Sequence, residues 1–134
     1  MTYLVERLRR HVDHVRMLAP RLSGRESLER DLSLHNDVMF SLLMIAQLVI
    51  DIAGELAARR GDRFEDYTDA VLSLARHPRF PPELVRALEP LPGFRNVVIH
   101  EYVALDPERV IEAARRLDPI ERFIAIVATI EDGE

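Results

Sequence analysis

The feature that most constrains this 134-residue chain is a long apolar run between Ser27 and Arg60. Apolar residues recur there every three or four positions, the spacing of a helical face. One stripe comprises Leu28, Leu32, His35, Met39, Leu42, Ala46, Val49, Ala53 and Leu56, and a second comprises Leu34, Val38, Ile45, Leu48 and Ile52. A helix with two apolar sides must be covered on both of them. The run therefore predicts one long central helix inside a bundle, and we expect the interface of a twofold dimer to bury the second stripe.

The other segments also have helical periodicity, and none alternates like a half-buried strand. Leu4, Leu8, Val12 and Val15 form the stripe of a first helix at residues 2 to 18, and a polar loop is expected at 61–67. Further helices are expected near Thr68–Arg76, at Pro82–Glu89, over 94–104, and from an N-cap at Asp106, with Pro119 kinking or splitting the last helix after Asp118. The pattern predicts one all-α domain over residues 1–134, an up-and-down helical bundle with one long central helix.

Composition limits the function classes. The net charge of −5 argues against a broad nucleic-acid-binding surface, although all 18 basic residues are arginine and a local phosphate site stays open. The absence of cysteine excludes disulfides and thiolate metal sites. The longest apolar stretch, Val38 to Ile50, has 13 residues, whereas a membrane span needs about 20. We expect a cytoplasmic protein without a membrane segment.

Candidate chemistry is concentrated in "GFRNVVIHEY", residues 93 to 102. On a straight helix Arg95 and Tyr102 share nearly one direction, and Asn96 and His100 share another. Arg95 and His100 differ by about 140°. Two arrangements could bring them to one substrate: the helix ends near His100, or a second copy of the chain completes the site in a twofold dimer.

These residue types suit the cleavage of a phosphodiester by the RNA's own 2′-hydroxyl. Histidine titrates close to neutral pH, so His100 can take the hydroxyl proton. Arg95 can donate hydrogen bonds to the phosphate oxygens. Asn96 could orient His100 or bind phosphate, and Tyr102 offers a hydroxyl for binding or modification. The alternative is that all four residues make ordinary hydrogen bonds beside the core.

The segment resembles the signature of the HepT toxins within the HEPN superfamily. The superfamily pattern is an arginine, four to six residues and a histidine; Arg95 and His100 match it with four between them, and Tyr102 matches the tyrosine that follows in HepT proteins. "LVIDIAGEL" and "YVALDPERV" resemble neighbouring blocks of the same family. The residues just before the motif depart from the family pattern, because they include Pro90 and Pro92. The sequence therefore does not fix the residue at which the motif helix begins.

The resemblance implies a HEPN-like fold and a metal-independent endoribonuclease that acts as the homodimeric toxin of a type VII toxin–antitoxin system. Its antitoxin would be an MntA-type nucleotidyltransferase that transfers AMP onto the motif tyrosine. Carried over, Arg95, Asn96 and His100 would be catalytic and Tyr102 would be the modified residue. RNA is the implied substrate, and neither a cofactor nor a metal is implied.

Other polar residues have two interpretations. His11 and His14 have the spacing of a metal-binding pair but no evident third ligand, so a solvated face is favoured. His35 is expected in the core or at an interface, and His77 has no visible partner. Asp51 belongs either to an exposed ion-pair row with Glu55 and Arg59 or to the cleft, where it would orient Arg95 or His100.

Two functions of other classes remain open. A binding module would keep the fold and the dimer but only hold a nucleotide or a nucleotidyltransferase partner, without catalysis. A structural helical dimer would use the motif for packing alone. Intact Arg95 and His100 favour the ribonuclease.

Overall fold

The computed structural model describes residues 1–133, and this range contains eight α-helices and no strand. The helices are α1 (Thr2–Leu18), α2 (Arg25–Arg30), α3 (Leu32–Arg59), α4 (Tyr67–Leu72), α5 (Pro82–Leu88), α6 (Leu91–His100), α7 (Pro107–Arg115) and α8 (Asp118–Gly133). Short 3₁₀ turns follow α1 at Ala19–Arg21 and α4 at Ser73–Arg76. The all-α prediction is confirmed.

The central helix α3 is covered on both sides by its own chain. It packs against α1, α2, α4, α6 and α7, and every residue of the second stripe is buried. Val38 and Ile52 have no exposed surface at all. The expectation that a second copy covers this stripe is therefore wrong, because the helices on both sides of α3 already bury it.

The long helix begins later than the periodicity predicts. Asp31 has an extended backbone, with φ −123° and ψ 96°, and its carboxylate accepts a hydrogen bond from the backbone N–H of Leu34 at 3.1 Å. Such a cap satisfies the first turn of a new helix, so the run from Ser27 divides into α2 and α3. Leu32, expected in the apolar stripe, is 72% exposed at this restart.

The C-terminal helices also divide near the expected position. The Asp106 side chain caps α7, as predicted, by accepting from the backbone N–H of Glu108 at 3.0 Å. The chain then breaks at Arg116 and Leu117, and α8 begins at Asp118. Pro119 therefore lies in the first turn of α8, where its missing N–H costs no helical hydrogen bond. The predicted split is present, but it precedes Asp118.

Judged by length and composition alone, helix α3 could cross a membrane. The 13-residue apolar stretch seen in the sequence did not suggest this. Most of its apolar window is nevertheless buried inside the bundle. The core helix of a bundle needs the same composition, and α3 has that position here.

Candidate functional site

Helix α6 presents the motif on its outer face. Pro90 precedes its first residue and Pro92 lies buried in its first turn, so the two prolines start the helix and do not disturb it. Val98 is fully buried, and Phe94 and Val97 pack partly against the core. This packing leaves the opposite face outward, with the motif residues Arg95, Asn96, Ile99 and His100.

The helix ends at His100. Glu101 leaves helical geometry with φ −130° and ψ 34°, and its backbone N–H makes the last helical bond, to the Val97 carbonyl at 2.8 Å. The helix expected over 94–104 is therefore too long, and Tyr102 lies beyond its end. The predicted common direction of Arg95 and Tyr102 is lost. Arg95 and His100 remain on one helix, about 140° apart around its axis and about 7.5 Å apart along it.

Three side chains fix the Arg95 guanidinium. Its Nε donates to Gln47 Oε1 at 2.5 Å, and Nη1 donates to Asn96 Oδ1 at 2.8 Å. The guanidinium carbon lies 5.0 Å from the ring centroid of Tyr67, a cation–π arrangement. Since a guanidinium has five N–H groups, three remain for a ligand. No carboxylate of residues 1–133 pairs with this charge.

Asp51 acts on Arg95 through an intermediate side chain. Its Oδ1 accepts from Gln47 Nε2 at 2.8 Å, which turns the Gln47 amide oxygen toward Arg95. The ion-pair row exists only between Glu55 and Arg59, at 3.8 Å. Sequence reasoning missed Gln47, which lies inside the apolar stretch from Val38 to Ile50. The available signal was its position four residues before Asp51, on the same helix face.

His100 contrasts with this arrangement. Its side chain is exposed at the last residue of α6. No side chain of residues 1–133 makes a hydrogen bond or ion pair with it. Asn96 does not orient it, since no hydrogen bond joins the two side chains and the Asn96 oxygen accepts from Arg95.

Tyr102 is anchored to the N-terminal part of α3. Its hydroxyl donates to Asn36 Oδ1 at 2.7 Å. The ring lies edge-on to His35, with centroids 5.4 Å apart and an interplanar angle of 89°. His35, expected in the core or at an interface, is half-buried beneath this ring. Burial raises the pKa of Tyr102 above its ordinary value, so the hydroxyl stays protonated at neutral pH.

Arg95 and Tyr102 therefore lie in line along one side of α3. Their partners Gln47 and Asn36 are eleven residues apart, which corresponds to about 16 Å along the axis and about 20° around it. The motif forms a strip along α3 and not one compact cluster.

The other sequence candidates do not join this strip. His11 and His14 lie on α1, and residues 1–133 contain no group of three His, Cys, Asp or Glu side chains placed to hold a metal ion. His77 contacts Phe80, with ring centroids 5.3 Å apart. A cavity of about 850 Å³ lies where α6 meets α7 and the start of α8, and neither Arg95, His100 nor Tyr102 lines it.

Comparison with known proteins places this fold and motif in context. Residues 8–127 match the family model described as ribonuclease HepT-like. The tRNA nuclease HepT of Aphanizomenon flos-aquae (strain 2012/KM1/D3) is 31% identical over 74 residues, 54% of this chain and 50% of that relative. The match thus spans about half the length of the curated relative.

Solved structures show the same fold. The tri-AMPylated HEPN toxin of Shewanella oneidensis, in complex with its MNT antitoxin, superposes with a TM-score of 0.81 at 19% identity, over 96% of each chain. A toxin–antitoxin structure with AMP-PNP gives a TM-score of 0.81 at 19% identity, over 95% of each chain. Because the family model matches most of the chain, this protein belongs to the ribonuclease HepT-like family.

Proposed function

We propose that this protein is a metal-independent endoribonuclease toxin, neutralised by an MntA-type nucleotidyltransferase that transfers AMP to Tyr102. The observation that carries the proposal is the Arg95 guanidinium, held by Gln47, Asn96 and Tyr67 with three N–H groups free. A fixed cation without a carboxylate partner suits a phosphate group. The family and the nuclease activity named for the Aphanizomenon relative support the same chemistry.

The proposed reaction uses the 2′-hydroxyl of the RNA as nucleophile. His100 takes the hydroxyl proton while the 2′-oxygen attacks the adjacent phosphorus, and the 5′-oxygen leaves with a proton to give a 2′,3′-cyclic phosphate. Arg95 stabilises the charge that develops on the phosphoryl oxygens. Asn96 accepts from Arg95 through its oxygen, so its amide N–H groups are available to the same phosphate.

The proposed enzyme works as a homodimer. An angle of about 140° separates Arg95 from His100 on one helix, so a twofold partner is the simplest way to bring both groups to one phosphate. Apolar residues surround the motif on the outer surface: Leu32 is 72% exposed, Ile99 46% and Val103 95%. These residues replace the second stripe of α3 as the proposed interface, because that stripe is buried within one chain.

AMPylation of Tyr102 is proposed as the off-switch. The phenolic oxygen would attack the α-phosphorus of ATP, form a phosphodiester to AMP and release pyrophosphate. Tyr102 is two residues beyond His100, so the added nucleotide first covers the His100 end of the strip and brings a negative charge to it. The Shewanella toxin is described as tri-AMPylated, which supports such chemistry in this fold.

A second candidate is a catalytically silent dimer that binds a nucleotide or a nucleotidyltransferase. The observation that favours it is the exposed His100 without an orienting partner. An orienting hydrogen bond is the usual feature of a catalytic histidine.

The test is cleavage of RNA by the purified full chain in the presence of EDTA. Wild type should cleave, and His100→Ala and Arg95→Ala should each lose activity by about a hundredfold or more. Arg63→Ala is a matched control on an exposed loop and should keep the wild-type rate. Inactive wild type would favour the silent dimer, and activity only with added metal would refute the mechanism.

The off-switch is tested by co-expression with the MntA-type nucleotidyltransferase of the same genome. Intact mass should rise by one or more AMP units on wild type and stay unchanged on Tyr102→Phe. AMP mapped to another residue would reject Tyr102 as the switch.

A further inference from the structure

A second polar pocket lies between α1 and α3, outside the motif. It has a volume of about 350 Å³ and is lined by Arg7, Arg10, His11, His14, Asp37, Phe40 and Ser41. The four basic residues have the spacing i, i+3, i+4 and i+7, so they form one stripe along α1. Four basic side chains in one stripe are unexpected in a chain with a net charge of −5.

The two arginines of this pocket have no carboxylate partner in the described part of the chain, although Arg7 also lies over the ring of Tyr3, 5.9 Å from its centroid. Neither Arg7 nor Arg10 forms an ion pair with any carboxylate of residues 1–133. His11 Nδ1 lies 3.1 Å from the hydroxyl of Ser41, which is only 2% exposed. The pKa of His11 is lowered by burial first and then by the positive charges of Arg7, His14 and Arg10. Asp37 is the one carboxylate in the lining.

The pocket and the motif strip lie on either side of the same exposed face of α3. Around the axis of α3, Asn36 and Gln47 point within about 20° of each other, and Ser41 points about 140° from Asn36. Phe40 lies between these directions and is 55% exposed, with its ring 5.8 Å from that of His11. The two sites are thus separated by about one helix diameter, about 10 Å, with an exposed aromatic ring between them.

We infer that the pocket of Arg7, Arg10, His11 and His14 binds a backbone phosphate of single-stranded RNA whose neighbouring segment lies in the motif strip. Two unpaired arginines provide the charged donors that phosphate needs. An exposed aromatic ring beside a basic groove is a platform on which an unpaired base can stack. The inference rests on the proposed ribonuclease function, because it assigns a second contact to the same substrate.

The first experiment measures binding of a fluorescein-labelled single-stranded RNA by anisotropy, in a His100→Ala background that prevents cleavage. Adding Arg7→Gln and Arg10→Gln should weaken binding by about tenfold or more, as expected when hydrogen bonds to a charged group are removed. The slope of log K against log salt should become less steep by about 0.7 for each phosphate that the protein no longer neutralises. Phe40→Ala should weaken binding by about fivefold or more if the ring stacks on a base.

Arg9→Gln with Arg79→Gln is the matched control, because both arginines are exposed and lie outside the pocket while the charge change is the same. This pair should bind RNA as the His100→Ala parent does. Equal losses in both pairs would overturn the inference, because the effect would then be one of net charge.

The second experiment adds inorganic phosphate and follows the His11 imidazole by NMR across pH. Bound phosphate should raise the pKa of His11 in wild type and leave it unchanged in the Arg7→Gln, Arg10→Gln variant. A phosphate response without any effect of these arginines on RNA affinity would overturn the RNA assignment. RNA binding that depends on Arg7 and Arg10 in a chain that never cleaves would refute the proposed function but support this inference.

Discussion

Arg95 and His100 stand five residues apart on α6, yet the fold holds only one of them. Arg95 is fixed by two hydrogen bonds and an aromatic face, and its amide partner Gln47 is itself held by Asp51. His100 is exposed at the helix end, without a side-chain partner in residues 1–133. In the proposed mechanism, Arg95 is then a preorganised phosphate-binding half, and His100 is a proton-transfer half that substrate or a second protomer must position.

The largest expected effect is complementation between two inactive variants, which tests whether Arg95 and His100 act from different protomers. If Arg95 of one protomer acts with His100 of the other, mixing Arg95→Ala with His100→Ala creates heterodimers with one intact site. Random exchange then restores about a quarter of the sites, from a background at least about a hundredfold lower. Cleavage rates of the mixture and of each variant alone measure the recovery. No recovery after confirmed subunit exchange would place both groups in one chain.

Removal of the Arg95 support should have an intermediate effect. Gln47→Leu leaves the guanidinium without its main acceptor, and we expect kcat to fall by about tenfold because a misplaced group loses part of its contribution. Steady-state kinetics should show the loss mainly in kcat, with the same pH profile as wild type. Met44→Leu, one turn earlier on α3, is the control that should keep kcat. Gln47→Leu at the wild-type rate would show that the hydrogen bond does not position Arg95.

The two halves should also differ in what they contribute to stability. Arg95→Ala removes two hydrogen bonds and a cation–π interaction, so the free energy of unfolding should fall by about 1 to 2 kcal/mol. His100→Ala removes no side-chain hydrogen bond and should change it by less than about 0.5 kcal/mol. Urea denaturation measures both changes in the free energy of unfolding, and the m-value should be the same for each variant and wild type. Equal losses would contradict the contrast.

A smaller loss of stability than that of Arg95→Ala is expected at Tyr102. Tyr102→Phe removes the hydrogen bond to Asn36 on an exposed part of the surface, with a cost of about 0.5 to 1 kcal/mol. A double-mutant cycle with Asn36→Ala should show a coupling of similar size. Strictly additive losses would mean that the hydroxyl and Asn36 do not interact in solution.

Burial of the hydroxyl also gives a pH dependence. The pKa of Tyr102 is raised in the folded state. The unfolded chain therefore loses this proton first as the pH rises past about 10, and stability falls through that range. This part of the alkaline destabilisation should be absent in Tyr102→Phe.

Much of the fold follows from local patterns. Apolar spacing places α1 correctly and identifies α3 as the central helix, and the Asp106–Pro107 signal locates the start of α7. The predicted helix bounds are wrong where a local cap or backbone conformation ends a helix that the sequence pattern would continue. Asp31 caps α3 at a point where apolar periodicity continues, and Glu101 leaves the helix although the motif could extend it.

The site was less accessible to sequence reasoning than the fold. The Arg95, His100 and Tyr102 spacing points to the motif, but the length of α6 decides that Tyr102 contacts Asn36 and does not share a direction with Arg95. Asn36 carries no local signal of its role, and the signal for Gln47 is limited to its position four residues before Asp51. Both side chains meet the motif across a helix interface, from 66 and 48 residues away in sequence.

The sequence by itself determined an all-α bundle around one apolar helix and pointed to a motif whose residue types suit the proposed phosphate chemistry, because periodicity and residue type are local properties of a chain. Only the tertiary structure decided which side chains hold Arg95, that the second stripe of α3 is buried within one chain, and that a basic stripe of α1 and the motif strip lie on either side of one exposed face of α3. Those outcomes depend on how α1 and α6 pack against α3, which no local pattern specifies.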